Sequence, residues 1–212
     1  MTDDSHQPLF AVPDSAFAGD AADGRTMRRR RNRDAVIDAL IELIREGDLA
    51  PTVARIADRA AVSHRSIFRY FDDLNDLARA AIETELRRAL LMGALAEPGQ
   101  GTLDDRIEAI VTKHLAILAQ THMLGRVARA RMIAIPEVER GLALVNEYRL
   151  AQLRQHFATE LDAMDEARRQ ATLTALLMTV GFESYDIQLR NLDLTPDEIA
   201  DNWRITLRSL LT

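Results

Sequence analysis

The chain has 212 residues, 47% of them hydrophobic, which is enough for a substantial core, and its net charge is −6. It has no cysteine, which excludes a disulfide framework, a thiolate nucleophile and a cysteine-ligated zinc site. No stretch approaches the roughly 18 uninterrupted apolar residues that span a bilayer, and the acidic, polar start does not read as a secretory signal. The chain is therefore expected to be cytoplasmic, with no membrane partner.

Residues 1–24 hold five Asp and no Lys or Arg, lack sustained periodicity and read as a disordered tail. Residues 25–33, RTMRRRRNR, hold six Arg and no acid. This run reads as a basic arm ahead of the first helix, with Arg28, Arg29, Arg30, Arg31 and Arg33 as candidate phosphate contacts. A solvated tail is the bland alternative. From about residue 28 onward the pattern is helical. Val36, Ile37, Leu40, Ile41 and Ile44 recur at helical spacing, and Gly47 is placed to end that helix.

Thr52 can cap a short helix through its hydroxyl, and Ser63 can cap the next. Asp72 and Asp73 favour the start of a longer helix running to about Leu95. Pro98-Gly99-Gln100-Gly101 is a break. A helix from about Thr102 to Gln120 follows, then a shorter piece, then one from Pro136 to about Leu161. Another runs from Asp165 to about Arg190. Thr195-Pro196-Asp197-Glu198 opens the last with an N-cap, a proline at the first position and a capping-box glutamate. No segment alternates apolar and polar residues over strand length, so the expected class is all-α.

Residues 52–71 have the anatomy of a helix-turn-helix. Val53, Ile56, Ala57 and Ala60 pack the first short helix inward, and Ala61-Val62 forms the turn. Ile67, Phe68 and Phe71 anchor the second, leaving His64, Arg65, Ser66 and Arg69 outward. Such a helix fits the major groove of B-DNA, where Arg can donate two bonds to guanine. Thr52, Ser63 and Tyr70 are placed to hold phosphates.

The segment TVARIADRAAVSHRSIFRYFDDLNDL resembles the DNA-binding region of the tetracycline-repressor-like (TetR) family of bacterial transcriptional regulators. The likeness covers roughly residues 30–82 and rests on Thr52, Ile56, Ala57, Ala60, Val62, Ser63, Ile67, Phe68, Tyr70, Phe71 and Leu77. It implies an N-terminal three-helix DNA-binding domain, a C-terminal ligand-binding and dimerisation bundle, and a homodimer on a double-stranded operator. The expected division is a tail (1–24), a basic arm with the helix-turn-helix (25–82), and an effector-binding and dimerisation domain (83–212). Ala61 departs from the family's usual turn glycine, at a cost on the order of 1 kcal/mol if its φ is positive. Leu74 replaces a frequent phosphate-contacting lysine, which the arginine run could offset through counterion release.

Beyond residue 95 no specific motif stands out. The five His include no i,i+3 or i,i+4 pair, so no helical metal site is expected. Gly-rich phosphate loops and Gly-x-Ser-x-Gly are absent, and neither a cofactor nor an enzymatic activity is expected. Polar residues in apolar stripes are the candidate effector contacts: His114, Tyr148, Gln152, Phe182, Glu183, Tyr185 and Asp186. The effector would be a small molecule, or the bundle would instead be gated by a protein partner. The resemblance implies that the last two long helices pair between protomers. Ile199, Trp203, Thr206 and Leu210 share one stripe, and Ala175, Gly181 and Ser184 would permit close approach. Trp203 could equally be buried within its own chain.

Overall fold

The computed structural model describes residues 24–212, and the expected disordered segment before Gly24 lies outside the described residues. Ten helices follow in order: α1 Gly24–Arg45, α2 Val53–Arg59, α3 His64–Tyr70, α4 Leu74–Gly93, α5 Leu103–Arg131, α6 Pro136–His156, α7 Ala158–Asp162, α8 Glu166–Thr179, α9 Phe182–Arg190 and α10 Pro196–Leu211. No strand occurs among the described residues.

Local chemistry sets the boundaries. Gly47 ends α1 at φ +100°, a conformation without penalty for glycine. Thr52, Ser63, Asp73, Asp165 and Thr195 each accept a backbone N–H three residues on, satisfying donors that have no partner inside the helix. Thr102 with Asp105 and Thr195 with Glu198 close capping boxes.

Three boundaries differ from expectation. The helix beginning near Thr102 does not stop at Gln120 but runs 29 residues to Arg131. Gly125 does not break it, because the glycine admits the Phe182 ring: a Cβ there would lie 2.5 Å from Phe182 Cε2. The helix expected from Asp165 to Arg190 is divided at Val180-Gly181 into α8 and α9. The helix expected to reach Leu161 turns at Phe157, separating α6 from α7.

Two apolar clusters organise the bundle. The first joins Ile37, Leu40, Ile41 and Ile44 of α1 to Ile56, Ile67, Phe71 and Leu77, and also takes in Leu124, Val127, Ala128, Ile135 and Val138. The second gathers the far half of α5 with α6 to α10, around Phe157, Leu161 and Trp203. The two halves are therefore not beads on a linker. Helix α4 crosses residues 82 and 83 without a break, and α5 contributes to both clusters.

Trp203 is 1% exposed and donates its indole N–H to Ser184 Oγ at 3.2 Å. Ile199 is buried beside it, so these two members of the expected stripe pack within their own chain, while Thr206 is exposed and Leu210 half-buried. Gly181 is buried too, and Ser184 is engaged by Trp203 and Gln188. The large apolar side chains left outward on α8 and α10 are Met178 and Ile205.

Candidate nucleic-acid interface and effector cavity

Helices α2 and α3 are seven residues each, too short to persist alone. Their caps and the apolar anchors beneath them fix their position. Ile56 and Ala57 hold α2 to α1, while Ile67 and Phe71, one turn apart, hold α3. Ala61 in the turn has φ +52°, the left-handed region in which a Cβ is strained.

The outward face of α3 carries His64 and Arg65, both exposed and without a side-chain partner among the described residues. Ser63 accepts Ser66 N–H at 3.2 Å, and the two hydroxyls lie 2.9 Å apart. Arg69 Nη2 donates to Tyr70 Oη at 2.8 Å, and Asn32 Nδ2 donates to the same oxygen at 3.4 Å. The Tyr70 hydroxyl thus ties α3 to α1 before any ligand arrives. Thr52 is exposed and caps α2. By contrast, Arg55 and Arg59 of α2 are neutralised by Asp48, Glu42 and Glu46.

Two corrections concern this face. Phe68 does not join the core: it is 54% exposed. With Ile67 and Phe71 fixed inward, helical geometry turns Phe68 about 100° away from Ile67, onto the flank shared with His64 and Arg65. The arginine run is not an arm ahead of α1 but lies within it. Arg28, Arg29, Arg30 and Arg31 are exposed, while Arg33 is half-buried with its guanidinium carbon 5.0 Å from the centre of the Phe71 ring. Four consecutive helical residues fan around most of the helix, so only about half can face one phosphate backbone.

A cavity of about 120 Å³ lies between α4, α5 and α6, with Phe182 of α9 at its side. An engineered apolar cavity of roughly 150 Å³ holds benzene, so this space suits a small ring or short chain. Leu86, Leu90, Ile117, Leu118 and Val145 give it apolar walls. Four of the seven expected effector residues line it: His114, Tyr148, Gln152 and Phe182. The other three do not. Glu183 accepts from Arg129 Nε at 2.6 Å, Asp186 lies 2.6 Å from His122 Nε2, and Tyr185 is buried against His122 and Trp203. The turn at Gly181 starts α9 in a new direction, and of these α9 residues only Phe182 at its first position reaches the cavity.

The cavity also contains charges that periodicity does not single out: Glu85, Arg129 and Arg149. Arg149 follows Val145 by four residues and precedes Gln152 by three, a spacing that shares their face. Its Nη2 donates to Val180 O at 2.7 Å and lies 3.3 Å from His114 Nδ1. Burial pushes Arg149 down to about 10. Burial, reinforced by the Arg149 charge, pushes His114 down to about 3, so its ring is neutral. Gln152 donates to Gly93 O at 2.7 Å and adds a further polar group to the cavity wall. Glu85, 3% exposed, accepts from Arg45 at 2.5 Å, and its other oxygen lies 3.7 Å from Arg88. No group of His, Asp or Glu suited to a metal ion occurs among the described residues, nor does any helix long and apolar enough to cross a membrane.

Residues 36–81 match the family described as bacterial regulatory proteins, tetR family. The HTH-type transcriptional regulator BetI of Escherichia coli (strain K12 / DH10B) is 40% identical over 90 residues, which are 41% of this chain and 44% of BetI. The match therefore spans less than half of that relative. A tetR-family transcriptional regulator from Streptomyces coelicolor superposes with a TM-score of 0.68 at 17% identity, over 85% of this chain and 80% of that one. The multidrug binding protein EbrR, solved in complex with imidazole, gives 0.58 at 18% identity, over 85% and 94%. At those identities the likeness is one of fold. Residues 36–81 thus carry the sequence of the tetR family of bacterial regulatory proteins, and the described residues as a whole share the fold of tetR-family regulators.

Proposed function

We propose that this protein is a DNA-binding transcriptional regulator, a homodimeric repressor released from its operator by a small molecule held in the cavity. The observation that carries this reading is the course of α4. Its first residue lies four positions beyond the end of α3, and its later turns, from Ile82 to Gly93, line the cavity. One rigid element thus touches both the DNA-reading unit and the ligand space.

On the DNA side, Arg65 would donate to a base edge, His64 and Phe68 would flank it, and Phe68 would meet a thymine methyl. Ser63, Ser66, Arg69, Tyr70 and Thr52, with the outward members of Arg28 to Arg31, would hold phosphates. Arg33 would act through Phe71. On the ligand side, His114, Tyr148, Gln152 and Phe182 would contact the effector directly. Glu183 and Asp186 would only set the charge behind the wall, and Tyr185 would pack behind it. Gating by a protein partner is less well supported, since an apolar cavity with a polar end is what a small molecule needs.

In a dimer, α8 and α10 would supply the contact, with Met178 and Ile205 at its centre. A shift of α4 would change the separation of the two α3 helices, which must reach successive major grooves. Selection of bound fragments from genomic DNA with purified protein tests the reading. Recovery of a pseudopalindrome with half-sites about one helical turn apart, or a multiple of it, is expected. Recovery of no sequence above background overturns it.

A further inference from the structure

We infer that the cavity takes an organic anion, a small carboxylate with an apolar body, whose charged end docks against Arg149; this rests on the reading of the cavity as an effector site. Charge balance around the cavity carries the argument. Arg129 and Arg149 both line it, and Glu183 is the acid whose charge acts on Arg149. Glu183 is hydrogen-bonded to Arg129 at 2.6 Å. Arg149 has no carboxylate within ion-pair distance among the described residues. Its guanidinium donates to the Val180 carbonyl and lies 3.3 Å from the neutral His114 ring, whose same nitrogen also faces that carbonyl.

The other end of the cavity is already balanced. Glu85 faces Arg45 and Arg88, and Arg88 also pairs with Asp38 at 2.7 Å. A cationic guest there would have to displace an existing partner. The uncompensated charge of the cavity is therefore positive, and it sits on Arg149. A guanidinium presents paired N–H donors in a plane that matches a carboxylate, and desolvation strengthens such a pair. Tyr148 has a hydroxyl on the same wall, with no hydrogen bond among the described residues. The apolar body would lie along Leu90, Ile117 and Val145 toward Phe182.

The seat has a structural consequence. Val180 closes α8 immediately before the turn into α9, and Arg149 holds its carbonyl from α6. A carboxylate competing for that guanidinium would slacken the junction between α6, α8 and α9.

Matched probes test the inference on the full-length protein by titration calorimetry at pH 7.5: benzoate, benzyl alcohol and benzylamine, with octanoate and octanol as a longer pair. In at least one series the carboxylate should bind at least tenfold more tightly than its alcohol, and benzylamine should bind weakest. Arg149→Gln should reduce the carboxylate to the level of the alcohol, while Arg149→Lys should retain part of the preference. If Arg149→Gln does not fold, the comparison on the unmodified protein decides alone. Equal binding of acid and alcohol, tightest binding of the amine, or failure of both carboxylates overturns the inference. Carboxylate binding that leaves DNA affinity unchanged would keep the inference and remove the inducer reading. DNA release by neutral or cationic compounds alone would do the reverse.

Discussion

Glu85 and Arg45 join α4 to α1: a carboxylate in the cavity wall accepts a 2.5 Å hydrogen bond from a guanidinium in the last turn of α1. Glu85 is 4% exposed at its side chain and Arg45 is 39% exposed, so the pair is sheltered from solvent on one side only. Removing the acid leaves the cation free to turn outward, whereas removing the cation leaves a buried charge with only Arg88 nearby. Arg45→Ala should therefore cost more than Glu85→Gln, at about 2 kcal/mol against about 1 kcal/mol. Urea unfolding of both variants and of the double variant checks this. Strict additivity would show that the pair is not coupled.

Ala61 offers the opposite sign. Its φ of +52° strains any side chain, so Ala61→Gly should stabilise the protein by at most about 1 kcal/mol, since glycine also loosens the unfolded chain. Ala61→Val should destabilise it. A thermal melt of the three proteins is sufficient, and a lower midpoint for the glycine variant would contradict the strain argument.

Arg65 stands exposed and without a partner on α3, among the described residues. Arg65→Ala should weaken operator binding by about 1–3 kcal/mol and leave non-specific binding nearly intact. Equal losses on operator and random DNA would make Arg65 a phosphate contact.

The arginine run gives a different signature. Replacing Arg28, Arg29, Arg30 and Arg31 together with Gln should reduce the slope of log affinity against log salt by about 1 for each phosphate no longer neutralised, hence by about 2 if half face the DNA. An unchanged slope would mean that the run does not compensate for Leu74.

Acid should loosen the bundle. The His114 ring is held neutral down to about pH 3, whereas in the unfolded chain it takes up a proton near its ordinary value of 6.5. The unfolded state therefore binds more protons between those limits. Stability is full above about 6.5 and falls as pH drops, by at most about 1.4 kcal/mol per pH unit for this one site. His156, also pushed down by burial, acts in the same direction. The apparent stability of His114→Gln should fall less steeply between pH 6.5 and 4.5 than that of the unmodified protein.

The helix-turn-helix is legible in the sequence because it is written in local chemistry. Thr52 and Ser63 sit where a hydroxyl must meet a free N–H, and Ile56, Ile67 and Phe71 obey helical spacing. Phe68 reads wrongly as an anchor because an aromatic next to two anchors looks like a third; only the fixed directions of Ile67 and Phe71 turn it out. The division at Gly181 and the continuity of α5 through Gly125 share one cause. A glycine either ends a helix or admits a neighbour, and the Phe182 ring that decides between these at Gly125 is far away in the sequence. Arg149 escapes a sequence reading because a cation looks like surface until the elements packed around it are known.

Helix α5 is about 44 Å long at 1.5 Å per residue, and its last turns are embedded among residues of α1 and α4. Recombination between regulators of this fold is therefore poorly served by a cut near residue 82. A chimera joined there would set foreign side chains opposite Ile37, Leu40 and Ile82 where Leu124, Val127, Ile135 and Val138 belong. A transplanted reading head needs that apolar seat carried with it, so the smallest exchangeable unit of this protein is discontinuous in sequence.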